Sequence, residues 1–375
     1  MSKELAEIIK REIDSSPRST IPFVRFMELA LYHPVYGYYQ KNTPKVGREG
    51  DFYTSAAVHP VFAETVADKI SQLLRSIESE QPTLVEVGGG TGHLLRHMLE
   101  RIKEIAPELY AMLRIVSIES SPYHTSLQKQ LLGDDPRPKV WYRSLSEAAR
   151  MEKLEGVIIS NEWFDAFPVH IVEKHKHGWR EVGVTWDSDK QGFVETFLPD
   201  LTAQAAGEVC DLPAGLQPQR IEVNPHVRET MAQISSMLKR GYVITIDYGD
   251  VEEELYHPAR DKGTLMCYYR HRASQTPLER VGEQDITAHV NFSALMRWGE
   301  KHGLRTCVFQ RQDEFLVKSG ILAKLQNHFD QDPFRSPVMK RNRAIQQLVS
   351  PGGMGGVFKV LIQGKEVELA VFALR

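Results

Sequence analysis

A short apolar stretch that runs into closely spaced glycines constrains this chain more than any other feature. Residues 83–92 read Thr-Leu-Val-Glu-Val-Gly-Gly-Gly-Thr-Gly, with glycines at positions 88, 90 and 92. Glycines at these positions allow a sharp turn and leave room for a ligand close to the backbone. The next stretch, 93–105, repeats apolar residues at the spacing of one buried helical face. The pattern predicts the first strand, turn and helix of a nucleotide-binding α/β fold.

The glycine spacing separates the classes of nucleotide. A dinucleotide fingerprint would need its third glycine where His93 or Leu95 stands, so NAD is disfavoured. A phosphate-binding loop would end in Lys-Ser or Lys-Thr, and no such pair follows. Glu86 with Gly88, Gly90 and Gly92 resembles instead the acidic-x-Gly-x-Gly-x-Gly loop of class I S-adenosylmethionine methyltransferases. A glycine-rich turn without a ligand is the simpler alternative for this loop taken alone.

A second acid strengthens the cofactor interpretation. The apolar run 113–118 predicts a second strand, and Glu119 follows it directly. A carboxylate at this tip can accept hydrogen bonds from both ribose hydroxyls of an adenosine. We therefore predict that Glu119 contacts the cofactor, although a strand-end acid is more often only solvated.

Composition excludes several classes of function. The chain has 375 residues, a formal net charge of -3 and no basic block, which argues against a nucleic-acid surface. The three cysteines, Cys210, Cys267 and Cys307, are far apart, so neither a disulfide framework nor a Cys-x-x-Cys metal site is predicted. The first residues form an acid-containing amphipathic pattern unlike a transit or secretion peptide, and no apolar run reaches the ~20 residues that span a bilayer. We expect a cytoplasmic enzyme without a metal and without membrane insertion.

The remaining sequence predicts an α/β fold with a mostly parallel, seven-stranded sheet covered by helices on both faces. The strands are predicted at 84–87, 115–118, 140–142, 157–160, 242–247, 306–309 and 357–362. Residues 1–80 are expected to form an N-terminal helical cap, and 81–375 the main domain with insertions at about 168–225 and 250–285. Within the first insertion, 179–186 and 193–197 flank a polar turn and predict a β-hairpin on the substrate side.

Polar and aromatic residues follow the fourth predicted strand, where ligands of open α/β sheets bind. The segment 160–168 reads Ser-Asn-Glu-Trp-Phe-Asp-Ala-Phe-Pro. Glu162 and Asp165 could hold a cationic guanidinium through charge-assisted hydrogen bonds and align one nitrogen with a methyl donor. The alternative is a loop in which Asp165 caps a helix and Glu162 is solvated.

Six ordered motifs make the resemblance more specific than the glycine loop alone. They are Gly-Asp-Phe-Tyr-Thr-Ser (50–55), Val-Glu-Val-Gly-Gly-Gly-Thr-Gly (85–92), Asn-Glu-Trp-Phe-Asp-Ala-Phe-Pro (161–168), Ile-Asp-Tyr-Gly (246–249), Gly-Thr-Leu-Met-Cys-Tyr-Tyr-Arg-His-Arg (263–272) and Asp-Ile-Thr-Ala-His-Val-Asn-Phe (285–292). Together they resemble the MidA family of class I methyltransferases over nearly the whole chain. Mitochondrial members of that family are similar to the arginine methyltransferase that assists assembly of respiratory complex I.

The resemblance implies a protein arginine N-methyltransferase that produces symmetric dimethylarginine, with a complex I type subunit as one conceivable protein substrate. It implies cofactor contacts from the glycine loop, Glu119, Thr54 and Asn161, and places the loop 161–165 at the guanidine. One departure limits the transfer, since Ala56 and Ala57 follow the first motif where family members commonly have Pro-Glu.

His289 is a further catalytic candidate, because it follows a loop and has an unperturbed pKa near neutrality, which suits proton transfer. A structural histidine is the alternative. Asp247 and Tyr248, at the end of the fifth strand, either line the substrate site or satisfy backbone groups. Two other functions stay open: an amide or adenine N-methyltransferase, suggested by Asn161-Glu-Trp-Phe164, and a non-catalytic, cofactor-binding assembly chaperone. A homodimer is compatible with these features.

Overall fold

The computed structural model describes residues 2–43, 45, 50–51, 59–210, 212, 219–327, 336–350 and 354–368. Its helices in chain order are α1 (Lys3–Ser15), α2 (Phe23–Tyr32), α3 (Pro60–Ile77), α4 (His93–Ile105), α5 (Pro107–Met112), α6 (Pro122–Leu131), α7 (Leu145–Met151), α8 (Ala203–Cys210), α9 (Val227–Met237), α10 (Glu252–Leu255), α11 (Phe292–Lys301), α12 (Gln312–Lys318), α13 (Pro337–Val349) and α14 (Met354–Val357). Its strands are β1 (Ile21–Pro22), β2 (Thr83–Val87), β3 (Arg114–Ile118), β4 (Lys139–Tyr142), β5 (Leu154–Asn161), β6 (His170–His175), β7 (Gly178–Asp187), β8 (Gly192–Phe197), β9 (Arg220–Val223), β10 (Leu238–Asp250), β11 (Met266–Tyr269), β12 (Arg272–Ser274), β13 (Asp285–Thr287), β14 (Val290–Asn291), β15 (Arg305–Arg311) and β16 (Phe358–Lys365).

The chain divides into two compact units, each built from three separate segments. The first unit comprises residues 1–52, 164–228 and 250–293, and the second comprises 53–163, 229–249 and 294–375. The two predicted insertions fall in the first unit, whereas α3 belongs to the second unit. The predicted division into a cap of residues 1–80 and a main domain stays a prediction.

The second unit is organised around a sheet whose main path runs β15-β16-β10-β5-β2-β3-β4. Strands β4, β3, β2, β5 and β10 are parallel to one another, and β16 is antiparallel to both β10 and β15. The predicted mostly parallel sheet is therefore confirmed, with the predicted seven strands along its main path. The carboxyl ends of β2, β3, β5 and β10 meet at one edge, because parallel strands run in the same direction.

The helix after the glycines has the predicted bounds and the predicted buried face. Leu95, Met98 and Ile102 of α4 are completely buried or nearly so, in one core with residues of α3 and the sheet. Burying such side chains stabilises the fold by ~1.5–3 kcal/mol each relative to leaving them exposed. This packing fixes the start of α4, and so the position of the loop that precedes it.

The first unit is built mainly from antiparallel strands. Its larger sheet runs β1-β7-β6-β9, with β8 paired to β7, and the predicted hairpin is confirmed by the β7–β8 pairing from Val182↔Phe197 to Asp187↔Gly192. Helices α1 and α2 pack on this sheet through Leu5, Ile9 and Phe26, which are fully buried.

A small sheet in the order β12-β11-β13 completes the first unit. Its tip is a two-residue turn in which Arg270 and His271 have φ values of +47° and +62°. Asp51 holds this turn, since its Oδ1 accepts a hydrogen bond from Arg270 N at 2.7 Å and its carbonyl accepts one from His271 N at 2.9 Å. The sequence did not predict this sheet.

Candidate functional site

The glycine loop between β2 and α4 adopts a left-handed backbone at three positions. The φ angles of Gly88, Gly90 and Gly92 are +68°, +52° and +83°. A Cβ atom added to Gly88 would lie 2.4 Å from Trp163 Cδ1, and one added to Gly92 would lie 2.9 Å from Gln128 Cγ. A Cβ atom on Gly90 would meet no described atom within 4 Å. Gly88 and Gly92 thus admit neighbouring side chains, whereas Gly90 faces space that a ligand can occupy.

Gln128 of α6 braces this loop, and sequence reasoning did not identify it. Its side chain is completely buried, and its Nε2 donates to the carbonyl of Gly90 at 2.8 Å. Its Oε1 accepts hydrogen bonds from Ser117 Oγ at 2.6 Å and from Trp141 Nε1 at 3.1 Å. The sequence offers one signal for this role: Gln128 places a side-chain amide on the buried face of α6.

Glu86 lies under the glycine loop as a buried acid. It is 1% exposed, and neither of its carboxylate oxygens has a hydrogen-bond partner in the part of the chain that the structure describes. Burial, with Glu119 as a second cause, raises the pKa of Glu86 to about 8. An acid held without partners beside an open loop can accept hydrogen bonds from a ligand that carries donors or positive charge.

Glu119 follows β3 and links its tip to the glycine loop. Its Oε2 accepts a hydrogen bond from Gly90 N at 3.0 Å, and its Oε1 accepts one from Ser121 N at 2.9 Å. Burial raises the pKa of Glu119, although these backbone donors oppose the shift. The two bonds do not saturate a carboxylate, which has about four lone-pair sites. Its predicted contact with ribose hydroxyls stays a prediction.

The residues after β5 form a second left-handed turn in the same unit. Asn161 Nδ2 donates to Glu162 Oε1 at 3.0 Å, and Tyr248 Oη donates to Glu162 Oε2 at 3.2 Å. Glu162 itself has a φ of +50°, and its N–H donates to the carbonyl of Ile246 at 2.9 Å. Asn161 Oδ1 is buried with no hydrogen-bond partner among the described residues. The turn therefore presents a partly exposed carboxylate with a donor on each oxygen.

The other two predicted catalytic residues, Asp165 and His289, belong to the first unit. Asp165 is 5% exposed, and its carbonyl accepts a hydrogen bond from Ala288 N at 3.0 Å. This bond brings Asp165 and the segment containing His289 together. The backbone N–H of His289 donates to Thr264 Oγ1 at 3.1 Å. Asp165 is buried, whereas His289 is partly exposed, as Glu162 is.

The remaining predicted contact, Thr54, lies outside the described residues. Of its motif, Gly50 and Asp51 are described. Asp51 Oδ2 accepts a hydrogen bond from the buried Tyr38 at 2.8 Å, so this acid anchors the segment before the motif's remainder. Sequence reasoning missed that role because the partners of the Asp51 side chain lie 13 and 219 residues away in the chain.

The described ranges contain neither a metal-binding cluster nor a membrane-spanning helix. No group of three or more His, Cys, Asp or Glu side chains there is arranged to hold a metal ion. None of the helices in those ranges has both the length and the apolar composition needed to cross a membrane.

Comparison with known proteins identifies the family. Residues 65–310 match a family model described as an S-adenosyl-L-methionine-dependent methyltransferase. The mitochondrial protein arginine methyltransferase NDUFAF7 homolog of Drosophila melanogaster is 25% identical over 389 residues, covering 95% of this chain and 84% of that protein. The mitochondrial protein arginine methyltransferase NDUFAF7 of Bos taurus is 28% identical, covering 91% of this chain and 79% of that protein.

A solved structure from Burkholderia thailandensis, bound to S-adenosyl-homocysteine, superposes with a TM-score of 0.86 and 33% identity, covering 98% of this chain and 93% of that one. The features of the site fit this class of ligand, because Glu86 is a buried acceptor without partners and Gly90 faces open space. S-adenosylmethionine is therefore the cofactor of this enzyme. The resemblance to the MidA family is confirmed, and the chain belongs to the family of S-adenosyl-L-methionine-dependent methyltransferases.

Proposed function

We propose that this enzyme is a protein arginine N-methyltransferase that forms symmetric dimethylarginine. The observation that carries the proposal is the carboxylate of Glu162, partly exposed at the edge of the sheet and fixed by Asn161 and Tyr248. A fixed carboxylate can bind a guanidinium through two parallel hydrogen bonds. Relatives at 25% and 28% identity that are named protein arginine methyltransferases support the same substrate class.

The chemistry asks little of the protein beyond alignment and charge. When bound, S-adenosylmethionine supplies a methyl group on a sulfonium sulfur. A substrate guanidine nitrogen forms the new N–C bond as the S–C bond breaks, with the bonding pair left on sulfur, and the nitrogen then loses a proton. We assign Glu162 to hold the guanidinium and His289 to accept the proton, with Asp165 as a buried support for the loop.

The cofactor side of the proposal follows the loops at the carboxyl ends of β2, β3 and β5. We assign Glu86 and the backbone of Gly88, Gly90 and Gly92 to the methionine part of the cofactor. Glu119 is assigned to the ribose, and Asn161 and Thr54 to further cofactor contacts. Among these residues, Gly90 and Glu86 have the clearest support, since one faces open space and the other has unpaired acceptor oxygens.

The experiment incubates the purified protein with labelled S-adenosylmethionine and a lysate of its own host, then locates the modified residue by mass spectrometry. We expect symmetric dimethylarginine, and a loss of at least ~100-fold in labelling with Glu162→Gln, because removing a group that stabilises charge costs about that much. Glu155→Gln is the matched control, since Glu155 lies on the same strand and pairs with Arg240 at 3.4 Å. Label on another residue type would overturn the proposal.

A second candidate is an amide or adenine N-methyltransferase, because Asn161 Oδ1 is a buried acceptor without a partner among the described residues. An exocyclic or side-chain amine could donate to it. The same mass spectrum decides, since this candidate predicts methylglutamine, methylasparagine or methyladenine. For the assembly chaperone, partner binding and the biological effect would both persist in Glu162→Ala although methylation is abolished.

The cytoplasmic location also remains part of the proposal. It is supported by the three cysteines, which are all unpaired, as is usual in a reducing compartment. Fractionation of the host with an antibody against this chain tests it.

A further inference from the structure

We propose that Tyr248 is a positioning residue that fixes the Glu162 carboxylate for the substrate. The inference rests on the proposed function in one respect, namely that the Glu162 carboxylate binds the group that accepts the methyl. Tyr248 stands at the carboxyl end of β10, next to β5, with the two strands parallel and Ile246 paired with Asn161. This register brings the phenol of one strand to the carboxylate that follows the other.

The contact is a hydrogen bond from Tyr248 Oη to Glu162 Oε2 at 3.2 Å, while Asn161 Nδ2 donates to Oε1 at 3.0 Å. A donor on each oxygen defines the plane of the carboxylate as well as its position. That plane matters because a guanidinium is planar and binds a carboxylate best when the two groups are coplanar. The bond is long for a hydroxyl and a carboxylate, as catalytic hydrogen bonds often are before the substrate complex forms.

The phenol is presented from a fixed ring. The rings of Tyr248 and Phe358 have centroids 4.0 Å apart, and Phe358 is completely buried. The two residues are directly paired across β10 and β16. A ring held between strands has little freedom to rotate away, so its hydroxyl can impose a direction on Glu162.

The backbone at Glu162 is also fixed by hydrogen bonds. Its left-handed φ of +50° is sparsely populated by residues other than glycine. Asp247, which is completely buried, accepts a hydrogen bond from Trp163 N through Oδ2 at 3.1 Å and from Tyr248 N through Oδ1 at 2.9 Å. One buried acid thus joins the strained turn to the strand that carries the phenol. Strained residues held in this way cluster at functional sites.

The test is a double-mutant cycle between Tyr248→Phe and Glu162→Asp, measured as the rate of methyl labelling in host lysate. Removing a residue that orients a metal ligand typically costs 10–100-fold, and by analogy we expect Tyr248→Phe to lower the rate at least ~10-fold in the wild-type background. In the Glu162→Asp background we expect less than a ~2-fold effect, because the shorter side chain withdraws the carboxylate from the phenol. The affinity for S-adenosylhomocysteine, measured by calorimetry, should change less than ~2-fold in all variants, as positioning of the acceptor requires.

Tyr242→Phe is the matched control. Tyr242 lies on the same strand, is buried, and its hydroxyl is 3.2 Å from that of Ser76. If the loss of any tyrosine hydroxyl from β10 lowered the labelling rate, this variant would be slower as well. The inference is overturned if Tyr248→Phe labels at the wild-type rate, if its effect is equal in both backgrounds, or if it weakens S-adenosylhomocysteine binding instead. If label is found on a residue other than arginine, the proposed substrate is wrong, and the cycle still reports whether Tyr248 acts through Glu162.

Discussion

Two left-handed turns lie at the carboxyl ends of neighbouring strands, and they are built differently. The turn after β2 uses glycine at each positive φ, so its backbone is unstrained. The turn after β5 uses Glu162 at a φ of +50°, a conformation that costs of order 1–3 kcal/mol in a residue other than glycine. The first turn keeps side chains out where a ligand approaches the backbone. The second accepts strain to put a carboxylate at a defined point.

The largest expected effect comes from adding a side chain to the unstrained turn. Gly90→Val would fill the open space over the loop and force a branched residue to a φ of +52°. We expect the affinity for S-adenosylmethionine in calorimetry to fall at least ~100-fold, about 2.7 kcal/mol. Gly303→Val is the control, because Gly303 also has a positive φ, +86°, and open space, but lies between α11 and β15. Equal losses in both variants would show that strain alone is responsible.

A middle-sized effect concerns the buried acid below the glycine turn. The pKa of Glu86 is raised to about 8, so between its ordinary value near 4.5 and that pH the folded protein binds more protons than the unfolded chain. Stability without cofactor should therefore fall as pH rises through this window and level off above it. Glu86→Gln stays neutral and should be more stable than wild type at pH 8.5 by ~2–4 kcal/mol, with the difference vanishing near pH 4.5.

Urea unfolding at several pH values measures the effect of Glu86→Gln. Glu100→Gln is a suitable control, because Glu100 is a half-exposed acid on the following helix, α4. Parallel stability curves for wild type and Glu86→Gln would contradict the proposed burial of a neutral acid under the glycine turn.

The smallest expected effect tests the strain in the other turn. Glu162→Gly should raise the free energy of unfolding by up to ~1 kcal/mol, because glycine adopts the left-handed conformation freely, while methylation is lost. Gln191→Gly provides the control, since Gln191 has a φ of +51° in the hairpin between β7 and β8, far along the chain from the site residues. A loss of stability above ~1 kcal/mol in Glu162→Gly alone would show that its hydrogen bonds outweigh the strain.

The glycine turn was predictable from sequence and the Glu162 turn only in part. Glycine spacing and the apolar face of α4 are local signals, so they predicted the loop and the helix bounds, and the alternation of strands and helices predicted a mostly parallel sheet. The sequence placed Glu162 after a strand but carried no sign of its positive φ, which depends on Asp247 and Tyr248, some 85 residues later in the chain.

The first unit shows the same limit on a larger scale. The β7–β8 hairpin has a local turn signal and was predicted, but β1 pairs with β7 across more than 160 residues, as Ile21↔Val184 shows. Pairing between strands so far apart in the chain is not indicated by the hydrophobic pattern of either segment. Gln128 and Asp51 were missed for a related reason, because each is defined by partners that only the folded chain brings near.

The reversed strand β16 has a consequence for synthesis of the enzyme. In the part of the chain that the structure describes it is the last strand of the sheet in sequence, yet it lies between β10 and β15. While the ribosome is still translating residues 358–365, β10 lacks its neighbour on that side and Tyr248 lacks the ring of Phe358. A nascent chain that already contains every residue of the cofactor loops would thus still lack β16, the strand that holds the ring of Tyr248 in place.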